Sequence, residues 1–137
     1  MSDFLRDKRI FYVEDDVFNR SIVQTILERH GAQFQFDRWG KDQTINKLKA
    51  FLPLDLVLLD LMLPGDVSGY DVFHAIKSDV ALDHLSVVII SAADPSIEML
   101  KARRLGFDGY ISKPVDVMTF PMQLKDFFEG KPLWISA

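Results

Sequence analysis

LDLVLLDLMLP, residues 54–64, decides the fold. Leu54, Leu56, Val57, Leu58 and Leu59 make a nearly continuous apolar run closed by Pro64. A strand with one wet face would alternate, so an unbroken run reads as a short strand buried on both faces, as in a parallel sheet. Asp60 stands at its end. A charge at the C-terminal end of such a strand lies where open α/β sheets place their ligands, in the crevice beyond the strand ends.

Upstream, Ile10, Phe11, Tyr12 and Val13 form a β-rich run that stops at Glu14, Asp15 and Asp16. From Asp16 to His30, Phe18, Ile22 and Ile26, with Val23 and Leu27 beside them, have helical spacing, and Gly31 follows as a stop. Phe34 and Phe36 alternate with Gln33 and Gln35 as a second strand. Ile45, Leu48 and Phe51 or Leu52 then give a helical stripe before Pro53. Downstream, the turn PGDVSG leads into a helix carrying Val72, Phe73 and Ile76. Val87 to Ile90 is a further β-branched strand, ending in Ser91. Pro95 starts the next helix, along which Ile97, Leu100 and Arg104 follow until Gly106. Tyr110 and Ile111 give the fifth strand, before Ser112, Lys113 and Pro114. Pro121 would break a helix begun at Asp116, so the last helix starts near Thr119 and ends by Gly130. This alternation predicts an α/β fold, a doubly wound five-stranded parallel sheet with five flanking helices. One domain is expected over residues 1–130, followed by a tail, 131–137, that the pattern leaves unplaced.

If these strands are parallel, Glu14, Asp15, Asp60, Ser91 and Lys113 converge on one crevice. Three carboxylates brought together repel one another unless a cation neutralises them. The chain of 137 residues has no cysteine, and its three histidines have no ligand spacing, so all-oxygen ligation points to magnesium, or alternatively manganese. Such an ion would bind phosphate, with Lys113 neutralising an oxygen and Ser91 donating a hydrogen bond. The net charge of −4 without a polybasic tract argues against nucleic acid as a direct partner. MSDFLRDKRIFYVEDD lacks the apolar core of a signal peptide and no apolar run approaches membrane-spanning length, so a cytoplasmic protein without a membrane partner is expected.

YVEDD, LLDLMLPG, IISA and GYISKP, in this order and spacing, give the chain a resemblance to bacterial two-component response-regulator receiver domains, of the chemotaxis-regulator-like, flavodoxin-like type. The resemblance runs from about Lys8 to Phe128 and implies the strand order 2-1-3-4-5. It implies that Asp60 is the phosphoacceptor, taking a phosphoryl group from a histidine kinase or phosphotransfer protein. It also implies that Asp15, Asp60 and the Met62 carbonyl ligate magnesium, with Glu14 acting through water. Ser91 would swing toward the phosphoryl group, Tyr110 would follow as an aromatic switch, and Lys113 would pair with the acyl phosphate. Helix 4, strand 5 and helix 5 would carry the change to a downstream protein or a homodimer partner, with Lys101, Arg103, Arg104 and Tyr110 as exposed contacts.

Three features depart from the family pattern, one of them Pro121, which shortens the final helix and bears on the usual dimerising face. The loop Pro64–Gly69 is one residue longer than is common, and serine replaces threonine at position 91. Three other functions compete. A docking module would keep the acids without being phosphorylated in use. An aspartate-dependent phosphatase would want an acid two residues beyond its nucleophile, where Met62 stands. A flavin binder's first loop would be repelled by Glu14 and Asp15. No enzymatic turnover beyond metal-dependent self-phosphorylation and dephosphorylation is expected.

Overall fold

The computed structural model describes residues 3–136. Strands β1 (Arg9–Val13), β2 (Gln33–Asp37), β3 (Leu56–Leu59), β4 (Val87–Ser91) and β5 (Gly109–Ser112) alternate with helices α1 (Val17–Arg29), α2 (Asp42–Ala50), α3 (Gly69–Lys77), α4 (Pro95–Leu105) and α5 (Phe120–Phe128). A short β6 (Trp134–Ile135) follows. Among the described residues the six strands form one all-parallel sheet in the order 2-1-3-4-5-6.

Strand alternation divides the core. Phe11, Val13, Val57, Leu59, Val87, Ile89 and Tyr110 pack toward Leu48 of α2, Val72, Phe73 and Ile76 of α3, and Ala102 of α4. Ile10, Tyr12, Leu56, Leu58, Val88, Ile90 and Ile111 pack toward Val23, Ile26 and Leu27 of α1 and Phe120 and Leu124 of α5. The central strand is buried at every position, as its unbroken apolar run predicted.

Three expectations are corrected. The sheet has a sixth strand drawn from the unplaced tail, of which Ala137 lies outside the described residues. Leu133 is buried, its carbonyl accepts the Tyr110 N–H at 2.8 Å, and a Cβ on Gly109 would sit 2.6 Å from that carbonyl oxygen. Only glycine admits this close approach. On α4, Ile97 and Leu100 point outward, because Ala102 and Met99 are the residues packed on the core. On α1, Phe18 is 74% exposed, and Val23, Ile26 and Leu27 form the inward stripe.

The helix ends follow their sequence signals. Asp16 caps α1 by accepting the Asn19 N–H at 3.0 Å, and α3 opens with a reciprocal Ser68–Asp71 capping box. Thr119 precedes α5, where Pro121 sits in the first turn, a position that needs no N–H partner.

Candidate functional site

Because the strands are parallel, β1, β3 and β4 end at one side of the sheet in Glu14, Asp60 and Ser91, and β5 runs into Lys113 there. Lys113 Nζ bridges two of these strand ends, at 2.5 Å from Glu14 Oε1 and 3.3 Å from Asp60 Oδ2. Glu14 and Asp60 are both buried. Tyr12, two residues before Glu14 and on the same strand face, donates its hydroxyl to Glu14 Oε1 at 3.0 Å. The Arg20 guanidinium donates to the Glu14 carbonyl at 3.2 Å.

One lysine faces two desolvated carboxylates, and they respond differently. Burial pushes the Asp60 carboxyl up to about 7, and the hydrogen bond with Glu14 and its negative charge add to this. Burial also opposes ionisation of Glu14, but its hydrogen bonds with Asp60 and Lys113 outweigh that and hold it below the usual carboxylate range. Burial and the nearby Glu14 charge raise the Tyr12 hydroxyl well above its ordinary value, so it remains a donor. The Asp60 Oδ1 atom accepts the Met62 N–H at 3.3 Å.

Asp15 does not join this group. Its Oδ1 lies 3.7 Å from the Arg38 guanidinium, and both side chains are nearly half exposed. Among the described residues no three acidic or imidazole side chains gather as a cation site. The expected convergence of three carboxylates is therefore corrected to two. Glu14 directly follows β1 and stays buried, Asp15 lies one residue further from the sheet and is partly exposed, and Lys113 and Arg38 pair with the two acids separately. Oxygen donors suit a hard divalent ion, and the crowded Glu14 and Asp60 carboxylates carry more negative charge than one lysine offsets.

Ser91 is buried, and its Oγ accepts the Ala93 N–H at 3.0 Å. Tyr110, expected among the exposed contacts, is instead fully buried, its hydroxyl donating to the Ala93 carbonyl at 3.2 Å. β6 lies beyond it, so β5 is an interior strand. Lys101 sits over the Tyr70 ring at 4.1 Å and Arg103 over the Trp134 ring at 4.2 Å, while Arg104 is exposed. The longer loop after Pro64 is closed by an antiparallel bridge between Met62 and Ser68. A Cβ on Gly69 would meet the Asp60 carbonyl oxygen at 2.5 Å, so glycine lets α3 start directly against the Asp60 backbone.

Sequence reasoning passed over a third buried acid. Asp37, at the end of β2, accepts hydrogen bonds from Thr44 Oγ1 and, at 2.9 Å, from Lys47 Nζ, and its carbonyl accepts the Glu14 N–H at 3.0 Å. Burial alone would raise its carboxyl, but the bonds from Thr44 and Lys47 hold it below the usual range. The Asp37, Thr44 and Lys47 spacing across a strand end and the next helix was the available signal.

Residues 10–124 match the response regulator receiver domain family model. The chain is 30% identical over 120 residues to the polar-differentiation response regulator DivK of Brucella ovis, covering 88% of this chain and 95% of that one. A receiver domain protein (CheY-like) from Methanospirillum hungatei superposes with a TM-score of 0.77 at 22% identity, over 90% of this chain and 94% of that one. The receiver domain of a sensor histidine kinase from Pseudomonas aeruginosa, solved with a magnesium ion in its active-site cleft, gives a TM-score of 0.77 at 18% identity, over 90% and 99% of the two chains.

Proposed function

This chain belongs to the response-regulator receiver family, and we propose that it accepts a phosphoryl group on Asp60 from a histidine kinase or phosphotransfer protein. The observation that carries the reading is Lys113 Nζ, held between Glu14 and Asp60 at the ends of β1, β3 and β5. An Asp60 carboxylate oxygen bonds to phosphorus as the phosphorus–nitrogen bond of the donor phosphohistidine breaks. The electron pair leaves with the imidazole nitrogen, which takes a proton from solvent. A divalent ion, magnesium or manganese, held by Asp15, Asp60 and the Met62 carbonyl with Glu14 behind it, would supply charge that ionises Asp60 and offsets the phosphoryl oxygens. Lys113 would pair with the new phosphoryl group, since its present partner Asp60 becomes the acyl phosphate. Ser91 would exchange its Ala93 bond for a phosphoryl oxygen, which also frees the Ala93 segment that holds Tyr110.

The output surface would lie on α4, β5 and α5, where Ile97, Leu100 and Arg104 are exposed for a downstream protein or a second copy. The pairing of Asp15 with Arg38 favours a second reading, a docking module that is not phosphorylated in use. Intact mass after incubation with acetyl phosphate, with and without magnesium, decides between them. A magnesium-dependent gain of one phosphoryl group, absent in Asp60→Asn, is expected. No gain in folded protein that binds magnesium would favour the docking module.

A further inference from the structure

One acid stands away from the other two, and the residue paired with it directly follows one that is tied on two sides. Asp37 is tied to α2 through Thr44 and Lys47 and to the Glu14 N–H through its carbonyl. Arg38 follows directly. Its guanidinium stands over the Trp39 ring at 5.0 Å and reaches Asp15 at 3.7 Å. Arg20, the other nearby guanidinium, is engaged with the Glu14 carbonyl and stands over the Phe36 ring at 4.0 Å. Arg38 therefore forms the single ion pair that Asp15 makes among the described residues.

We propose that Arg38 is a latch on the metal site: it holds Asp15 out of the crevice, and a divalent ion binds only after Asp15 exchanges the guanidinium for the ion. This rests on the metal site proposed above. The binding-competent arrangement is then a fraction of the population, and the apparent affinity is lowered by that fraction. Arg38 is a positioning residue, since it acts through Asp15 and touches neither Asp60 nor Lys113. Because the pair is long and exposed, the latch is weak, which suits a device that sets a threshold without blocking the site.

The test measures metal binding with no phosphodonor present. Isothermal titration with magnesium chloride is expected to show affinity tightened about two- to fivefold in Arg38→Ala, the range an exposed ion pair supplies, with Arg38→Lys close to the parent. The protein has two tryptophans, so Trp134→Phe leaves Trp39 as an optical reporter of its stacked guanidinium. Saturating magnesium should change Trp39 emission in the Trp134→Phe protein, and Arg38→Ala in that background should abolish the change while binding persists. Unchanged or weakened affinity in Arg38→Ala, or a Trp39 signal indifferent to bound metal, overturns the latch alone. Absence of binding in every folded variant, Arg38→Ala included, overturns the metal site itself and the latch with it.

Discussion

Glu14 and Asp15 are adjacent, carry the same charge and each pair with one basic side chain, yet they occupy different media. Glu14 is buried and meets Lys113 at 2.5 Å, whereas Asp15 is nearly half exposed and meets Arg38 at 3.7 Å. One further residue beyond the end of β1 carries a side chain from the covered part of the sheet to its partly exposed rim. With that step the effective dielectric changes, and the same charge pair changes several-fold in strength. The acidic cluster that looks uniform in the sequence therefore divides into one interior charge, held permanently, and one surface charge, held loosely enough to be recruited.

The largest effect should come from removing the interior cation. Lys113→Met leaves two buried carboxylates without the cation they share, and urea unfolding at pH 8 is expected to show a loss of about 3 kcal/mol, the lower end for breaking a buried pair because Asp60 can take up a proton. A loss below that of a surface pair would show that solvent reaches Glu14 and Asp60, and the contrast with Asp15 would fail.

Asp37 sharpens the comparison, being a buried acid with a half-exposed lysine as partner. Its folded carboxyl lies below the ordinary value, so the stability it contributes is complete above the unfolded value of about 4 and disappears as pH falls through the folded one. Asp37→Asn should accordingly lose about 2 kcal/mol at pH 7, and the gap from the parent should narrow below pH 4 in an acid series of unfolding curves. A constant gap would mean that shape, not charge, sets the contribution. The smallest effect belongs to the surface pair: Arg38→Ala should shift unfolding free energy by no more than about 0.5 kcal/mol. A cost approaching that of Lys113→Met would place Asp15 in the interior with Glu14.

The order of strands and helices was legible because each strand is a short apolar run ending in a polar residue and each helix has an apolar stripe. Glu14, Asp60, Ser91 and Lys113 were placed at one side of the sheet by that pattern alone. The orientation of Asp15 was not legible, since it depends on Arg38, a residue 23 positions away whose approach is fixed by Asp37 and α2. β6 escaped because two paired residues after Pro132 have no periodicity to detect. Missing β6 also misplaced Tyr110, whose burial follows from the strand beside it. On α1 and α4 the spacing was helical, but Phe18, Ile97 and Leu100 showed that an apolar residue at the right interval can still face water.

β6 also bears on how copies of this chain behave beside one another in a crowded solution. A bare β5 would offer four residues of unpaired backbone, a template on which a neighbouring molecule could lay a strand. The two residues of β6 take up that pairing and leave a rim too short to propagate it, entered from Pro132 and overhung by Arg103 on the Trp134 ring. The shortest element of the fold thus closes one edge of the sheet and leaves β2 as the longer open one.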